Sequence, residues 1–503
     1  MAHRKAKAVR LQLDADGLAF FRFGRIGDRI ILTNDAAQYL MLGEADFALL
    51  LAGQITPDHP AHGELLEKGF LRPGMNLDRL ADRIRRKKAH VGQGPHLHIV
   101  LPTLRCNQTC RYCHASRAPL DDPDTDMTLE TAKRVVDLAM QTTSPLVNFE
   151  FQGGEPTLNF PVVKFVVEYS REKNRVEGKE LTHSIVTNLT AMDEERADWL
   201  VDNEVMICAS LDGPEELHNW NRAWTGVGAG NAYGETLRWM AYINQRYLDQ
   251  GREPQLWHVD ALMTTTRKTF NHWKEVIDLY VDQGLRSIHL RPLNPYGFAL
   301  STWKTIGYST DEYLAFYEKC LDYILELNHQ GVQIIEGTAA VMLAKMLTPD
   351  DPNFVDILSP CGAGTGQVAY NFDGRIFTCD EARMTAAMGD DRFAIGDVSD
   401  SGYNQVVRHP TVKAMALASL QDALPGCDTC WNKPFCGVCP MHNYMMGGDL
   451  FGQRPNSPKC AEYMTISRML LERLDSDEDG STEKIFRRWT VRRQRAITRD
   501  CGL

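Results

Sequence analysis

The stretch that decides the fold is His96-Leu97-His98-Ile99-Val100-Leu101-Pro102-Thr103-Leu104-Arg105-Cys106-Asn107-Gln108-Thr109-Cys110-Arg111-Tyr112-Cys113. A short apolar run reads as a strand, and three cysteines spaced C-x3-C-x2-C follow it directly. Working outward, further strand candidates lie at 146–151, 184–187, 205–211, 256–263 and 287–290. Amphipathic stretches at 129–140, 161–171, 194–200 and 270–281 separate them and read as helices. Strands alternating with helices predict a parallel α/β sheet or barrel. In such folds the reactive groups stand at the C-terminal ends of strands, which is where these cysteines are.

Composition narrows the classes. The chain has 503 residues, 43% apolar and 24% charged, which suits a soluble globular protein of several domains. Its 55 Lys and Arg against 66 Asp and Glu give a formal net charge of −11, so no whole-protein basic field draws it to nucleic acid or anionic lipid. No apolar run reaches the length of a membrane span, and the basic start Met1–Lys7 lacks a signal-peptide core. The expectation is a cytoplasmic protein. Its 13 cysteines are then not a disulfide framework.

The three clustered thiols have a bland reading, as buried structural cysteines. Zinc asks for four ligands in a closed site, whereas three thiolates on one loop suit an iron–sulfur cube with one iron left open. A second cysteine region reads Cys361-x12-Gly374-x4-Cys379, Cys427-x2-Cys430-x5-Cys436-x2-Cys439 and Cys460. Five residues between its two C-x2-C pairs are fewer than the roughly 15–20 of a zinc ribbon. Cys208, Cys320 and Cys501 have no partners at metal spacing.

On these motifs the chain resembles the radical S-adenosylmethionine enzymes, and its C-terminal region is similar to the seven-cysteine SPASM extension. It differs from the usual SPASM pattern in having two residues, not three, between Cys436 and Cys439. The resemblance implies an α/β fold with a partial (β/α)6 TIM-type barrel, an irregular Cys-rich C-terminal domain and a small N-terminal α+β domain. It divides the chain into 1–94, the barrel at 95–300, a helical connector at 301–354, the twin-cluster domain at 355–465 and a basic helical tail at 466–503.

The cofactors implied are S-adenosyl-L-methionine and three [4Fe-4S] clusters. Cys106, Cys110 and Cys113 would hold the radical cluster. Cys427, Cys430, Cys436 and Cys460 would hold an outer auxiliary cluster, and Cys361, Cys379 and Cys439 an inner one with an open or non-cysteine fourth position. Among polar side chains before Cys361, residues 353–360 offer Asn353, Asp356 and Ser359. The resemblance places the cofactor against Tyr112, Gly153, Gly154, Glu155, Asn188, Ser210, Arg222 and Arg291. It makes Asp380 the proton acceptor for an oxidised substrate; the alternative is an Asp that binds backbone amides.

The implied activity is a maturase that modifies a ribosomally made peptide or protein, in the branch that forms carbon–carbon, ether or thioether crosslinks, including the His-Xaa-Ser system. A flavodoxin or ferredoxin would supply electrons; nucleic acid and membrane are not expected partners. Two rivals stand: a sulfatase-type maturase making formylglycine, and a non-catalytic iron–sulfur carrier. Residues 33–40 read as a strand and, with 46–50 and 68–71, faintly resemble a leader-peptide-binding domain; a plain capping domain is the alternative. His114 and the acids Asp121, Asp122, Asp124 and Asp126 read as solvated loop residues, and the tail from Lys484 to Arg499 as a solvated basic helix.

Overall fold

A computed structural model describes residues 16–225, 230–352, 354–454 and 456–491. Met1–Lys7, Asn353, Arg492, Arg493, Arg495, Arg499 and Cys501 lie outside the described residues. Among the described residues, no helix is long and apolar enough to cross a membrane.

The chain opens with an antiparallel meander, β1 (Arg22–Ile26), β2 (Arg29–Thr33) and β3 (Tyr39–Leu42). The strand expected over 33–40 is instead the turn between β2 and β3. Asn34 Oδ1 accepts from the amides of Ala36 and Gln38, and Ala37 takes φ 53°. An Asn side chain that mimics a backbone acceptor favours such a turn over a strand. Helices Glu44–Leu51 and His62–Glu67 follow, and Leu32, Leu42, Leu50, Leu65 and Phe70 form a small core of their own.

The barrel strands are β4 (Leu97–Thr103), β6 (Leu146–Gly153), β7 (Glu180–Thr187), β8 (Met206–Ser210), β10 (Asp260–Leu262) and β11 (Ser287–Ile288). Two short segments, β5 (Gln108–Cys110) and β9 (Arg222–Trp224), pair with each other outside the main sheet. Helices Leu129–Ala139, Phe160–Glu177, Glu194–Asp202, Ala232–Asp249 and Trp273–Asp282 make the crossovers. The helix Ala232–Asp249 has no counterpart among the stretches singled out from the sequence. All but the first residue of β4 are buried, as a parallel strand covered on both faces must be. The strand expected over 256–263 shrinks to β10, because Leu256 and Trp257 donate back to the Glu253 carbonyl in a turn.

The main sheet runs β10-β8-β7-β6-β4 and continues into β13 (Gln367–Tyr370), β14 (Arg375–Phe377) and β15 (Ala394–Asp397). Five barrel strands therefore share it. The sixth, β11, pairs in parallel with β12 (Ile335–Glu336), beyond the connector helix Thr310–His329. β13 lies parallel to β4, in register Gln367↔Leu97 to Tyr370↔Val100. The cysteine-rich region is thus built onto the edge of the barrel sheet. Helices Asp380–Ala387, Pro410–Ser419, Pro440–Gly447 and Pro458–Asp475 complete it, so it is more regular than its sequence suggests. In the tail helix Ser481–Trp489, Ile485, Phe486 and Trp489 are buried while Lys484, Arg487 and Arg488 stay exposed.

The N-terminal meander is seated on the second cysteine region. A Cβ on Gly24 would fall 2.1 Å from Trp431 Cδ1, Thr33 Oγ1 donates to the Trp431 carbonyl at 2.7 Å, and Lys433 pairs with Asp35 at 3.1 Å. Trp431→Ala should cost about 3–5 kcal/mol through loss of its buried contacts, read as a lower midpoint in denaturant unfolding.

Two histidines line the barrel core on either side of Phe149. His98 Nδ1 shares a hydrogen bond with Tyr370 Oη at 3.1 Å, and His183 Nε2 one with Ser170 Oγ at 2.8 Å. Burial pushes both imidazoles down to about 3. In the unfolded chain they take up protons near pH 6.5, so stability falls as pH drops from about 6.5 towards 3. The slope is about 1.4 kcal/mol per pH unit for each histidine. His183→Phe should flatten the dependence of unfolding free energy on pH by about one proton.

Candidate active site

The loop after β4 is held from three sides. Arg105, just before the first cysteine, is gripped bidentately by Asp126 at 2.8 and 2.6 Å, so this Asp is no free member of a solvated acidic loop. β5 pairs antiparallel with β9, setting Cys110 opposite Arg222. Gly297, at φ 56°, presses against the Cys113 carbonyl, which a Cβ there would approach to 2.4 Å.

Donors point at the sulfurs. The Gln108 amide reaches Cys106 Sγ at 3.4 Å and Asn188 Nδ2 reaches it at 3.7 Å; Arg222 Nη1 stands 4.0 Å from Cys110 Sγ. Burial pushes the Cys106 and Cys110 thiols up, Cys110 to about 12, and each feels its neighbouring thiols while Arg222 pulls Cys110 down. Such thiols stay protonated until a positively charged partner displaces the proton. Three soft donors with N–H groups aimed at them fit an iron–sulfur cluster.

The residue that organises this end of the barrel is Asp212, to which the sequence reading assigned no role. It is fully buried and accepts from Tyr112 Oη at 2.5 Å, Asn221 Nδ2 at 3.0 Å and the Thr264 amide at 3.2 Å. Arg222 pairs with it through Nη2 at 3.2 Å and Nε at 3.1 Å, and lies over the Tyr112 ring. The pair holds Arg222 in its protonated form, well above its ordinary value. Tyr112, Arg222 and the Ser210 strand end are therefore gathered around one carboxylate. Its only signal in the sequence is its place between Ser210 and Gly213.

The Gly153-Gly154 pair is required by the chain's own packing. Gly153 takes φ 126°, and a Cβ on Gly154 would fall 2.1 Å from the Arg105 carbonyl oxygen. Glu155 is fully buried and braces the neighbouring strand end, accepting from Thr157, from Thr187 Oγ1 at 2.8 Å and from the Asn188 amide at 2.8 Å. Asn188 in turn bonds Asn107 at 3.0 Å and Thr190, so the first and third strand ends are tied together.

His114, expected in solvent, stands between the rings of Tyr112 and Tyr296, and burial pushes its imidazole down to about 3.

In the second cysteine region the thiols fall into two sets. Burial pushes the Cys436 thiol up, with Cys430, Cys460 and Cys427 adding to it, and all four with Cys439 line a cavity of about 200 Å³. Cys361, Cys379 and Cys439 form the other set, each pushed up by burial and by its neighbours. Among the described residues, no three His, Cys, Asp or Glu side chains converge tightly enough for a single ion.

A larger cavity, about 540 Å³, fills the barrel between these regions. Glu150, Gln152 and Arg291 line it from the barrel, and Asp356, Asp380 and Glu381 from the cysteine region. Asp380 is bonded to Arg383 Nε at 2.7 Å. Burial, together with Asp356 and Asp380, pushes Glu381 up to about 7.

Asp212→Asn should cost about 3–5 kcal/mol, because it leaves the Arg222 charge buried without its partner. Unfolding by denaturant checks the magnitude, and faster amide exchange at Gln108–Cys110 checks the place.

The comparisons with known proteins concern the same region. Residues 100–296 match the family model of the radical SAM superfamily. An uncharacterised protein of Archaeoglobus fulgidus is 24% identical over 405 residues, 79% of this chain and 85% of that one. A serine-type anaerobic sulfatase-maturating enzyme of Bacteroides thetaiotaomicron is 30% identical over 117 residues, 23% of this chain and 28% of that one.

Among solved structures, anSMEcpe with bound AdoMet superposes at TM-score 0.61, with 19% identity over 78% of this chain and 98% of that one. SuiB of Streptococcus suis, bound to its precursor peptide SuiA, superposes at 0.52, with 13% identity over 88% and 99%. Residues 100–296 of this chain are a radical SAM domain.

Proposed function

We propose that this enzyme is a maturase that binds S-adenosylmethionine and oxidises a side chain of a ribosomally made peptide or protein, closing a crosslink. The observation that carries the reading is the central cavity, bounded by barrel strand ends on one side and by the inner thiol set's carboxylates on the other. The similarity to a structure that holds a precursor peptide supports a peptide substrate.

Cys106, Cys110 and Cys113 would hold the radical cluster, the four thiols Cys427, Cys430, Cys436 and Cys460 an outer cluster, and Cys361, Cys379 and Cys439 an inner one. When bound, cluster and cofactor supply one-electron chemistry that removes a hydrogen atom from a carbon; the protein supplies position and shelter. Asp212 fixes Arg222 and Tyr112 at the mouth of the barrel. Asn188 would offer a polar contact near the cofactor's sugar, Ser210 and Arg222 would contact the cofactor with Arg222 suited to its carboxylate, and the backbone of Gly153-Gly154 and of Arg291 would complete its seat.

Asp380, held by Arg383 at the cavity wall, takes the proton released as the substrate is oxidised. The N-terminal meander, with Phe20 and Phe23 exposed along its edge, binds the leader of the substrate by strand addition. A flavodoxin or ferredoxin in the cytoplasm is the electron source.

Dithionite-reduced protein given S-adenosylmethionine should release 5′-deoxyadenosine, and Cys106→Ala should abolish it; no release from the unaltered protein would leave only a carrier. Co-expressed neighbouring peptides should lose two hydrogens by mass spectrometry. Asp380→Asn should cut that product by about 100-fold or more while 5′-deoxyadenosine still forms; modification at the normal rate would remove the base. The similarity to a sulfatase-maturating enzyme supports the second reading, formylglycine formation. A product aldehyde trapped by a hydrazine would select it over a crosslink.

A further inference from the structure

The sixth barrel strand is held differently from the others. β11 is two residues long, lies outside the main sheet and pairs with the two residues of β12, whereas β6 and β7 pair over six positions. Yet the segment that continues β11 forms a wall of the central cavity, through His289, Arg291, Pro292 and Asn294. One backbone bond reaches it from beyond β10, the Thr265 amide donating to the Arg291 carbonyl at 2.9 Å. The rest of its support comes from side chains of the connector. The Leu290 amide donates to Glu336 Oε1 at 3.2 Å, and the Leu290 carbonyl accepts from Tyr313 Oη at 2.6 Å. Further along, the Leu293 amide donates to Tyr308 Oη at 2.7 Å.

These side chains are themselves fixed. Glu336, Tyr313 and Tyr317 are all buried. Glu336 Oε2 accepts from Tyr317 Oη and from the Ala339 amide at 2.7 Å, so the carboxylate caps the helix Gly337–Leu347 while its other oxygen reaches Leu290. The Tyr308 and Tyr313 rings stack with centroids 5.9 Å apart. Tyr313 and Tyr317 stand one turn apart on the helix Thr310–His329, so a single helix face serves one strand end. Gly337, next to Glu336, lies against His289, where a Cβ would fall 3.0 Å from the ring. Both backbone groups of Leu290 therefore depend on a side chain, and removing either partner leaves a buried N–H or C=O unmatched.

We propose that Tyr313 and Glu336 are positioning residues for S-adenosylmethionine, fixing Leu290 and through it the Arg291 backbone at the cofactor's seat. The proposal rests on the reading that the Arg291 backbone belongs to that seat. A strand end with a full ladder keeps its place by backbone bonds, whereas this one takes its place from two side chains outside the barrel. The connector is then part of what binds the cofactor, and its buried tyrosines and Glu336 have a use beyond joining the barrel to the cysteine-rich region.

The test uses the full chain reconstituted with iron and sulfide, with S-adenosylmethionine as the probe. It reads the dissociation constant by equilibrium dialysis and backbone-amide exchange over residues 289–294. Tyr313→Phe, which keeps the ring and removes the hydroxyl, should raise the dissociation constant about tenfold, and Glu336→Gln should raise it too. In both variants KM for the cofactor in 5′-deoxyadenosine release should rise while kcat holds. Tyr370→Phe, which takes a buried hydroxyl from His98 instead, should bind as the parent does. Unchanged affinity in either variant would remove that residue's role and leave the seat standing, and an equal loss in Tyr370→Phe would reduce both roles to general loosening. In the parent the cofactor should slow exchange over 289–294; binding without that protection would take Arg291 out of the seat and the proposal with it.

Discussion

The pairing of β4 with β13 is the constraint on which the rest of the molecule depends. β4 carries the C-x3-C-x2-C loop at its end and bonds to β6 on its other edge. By taking β13 as a second parallel neighbour, it draws the cysteine-rich region into the barrel sheet. A shared ladder fixes distance and orientation between the two regions more rigidly than a domain contact would, since the paired strands are bound by backbone hydrogen bonds. The cavity between them follows from that geometry, with barrel residues on one wall and Asp356, Asp380 and Glu381 on the other.

Within the barrel mouth the organising element is a buried charge. Asp212 gathers a phenol, an amide, a guanidinium and a backbone N–H around one carboxylate, and through Arg222 it governs the strand pair that carries Cys110. Buried ion pairs are poor sources of net stability but strict about geometry, because either partner alone is left desolvated. That trade suits a loop whose three thiols must keep fixed positions. Glu155 acts in the same way at the next strand, joining the second strand end to the third.

Much of this was legible from the sequence. The alternation of strands and helices from 96 to 290 marked a parallel α/β core, and the family match covers 100–296. The helical connector expected over 301–354 contains the helix Thr310–His329, which Ser309 and Glu312 cap reciprocally. The pairing of β11 with β12, which joins residues far apart in the chain, was not legible, and neither were the turn at Asn34–Gln38 and the short β10, which local hydrogen bonds set against the apolar pattern. The structure also adds packing roles that the motif does not carry. The glycines after β6 are demanded by the Leu104–Arg105 backbone, and the Glu155 carboxylate is used inside the wall.

The sequence by itself determined the chemistry on offer: three thiols on a strand end, seven more downstream, and an arginine twelve residues after a serine. Residue types and short spacings carry such information because a loop of a few residues can present its side chains to only one place. The tertiary structure decided which groups share a place. It brought Cys427, Cys430, Cys436, Cys439 and Cys460 around one cavity, gave Asp212 its hub, and laid the turn Val355–Ile357 against Cys361 and Gly437. Those pairings join residues up to about a hundred positions apart, and only the packing of the sheet brings them together.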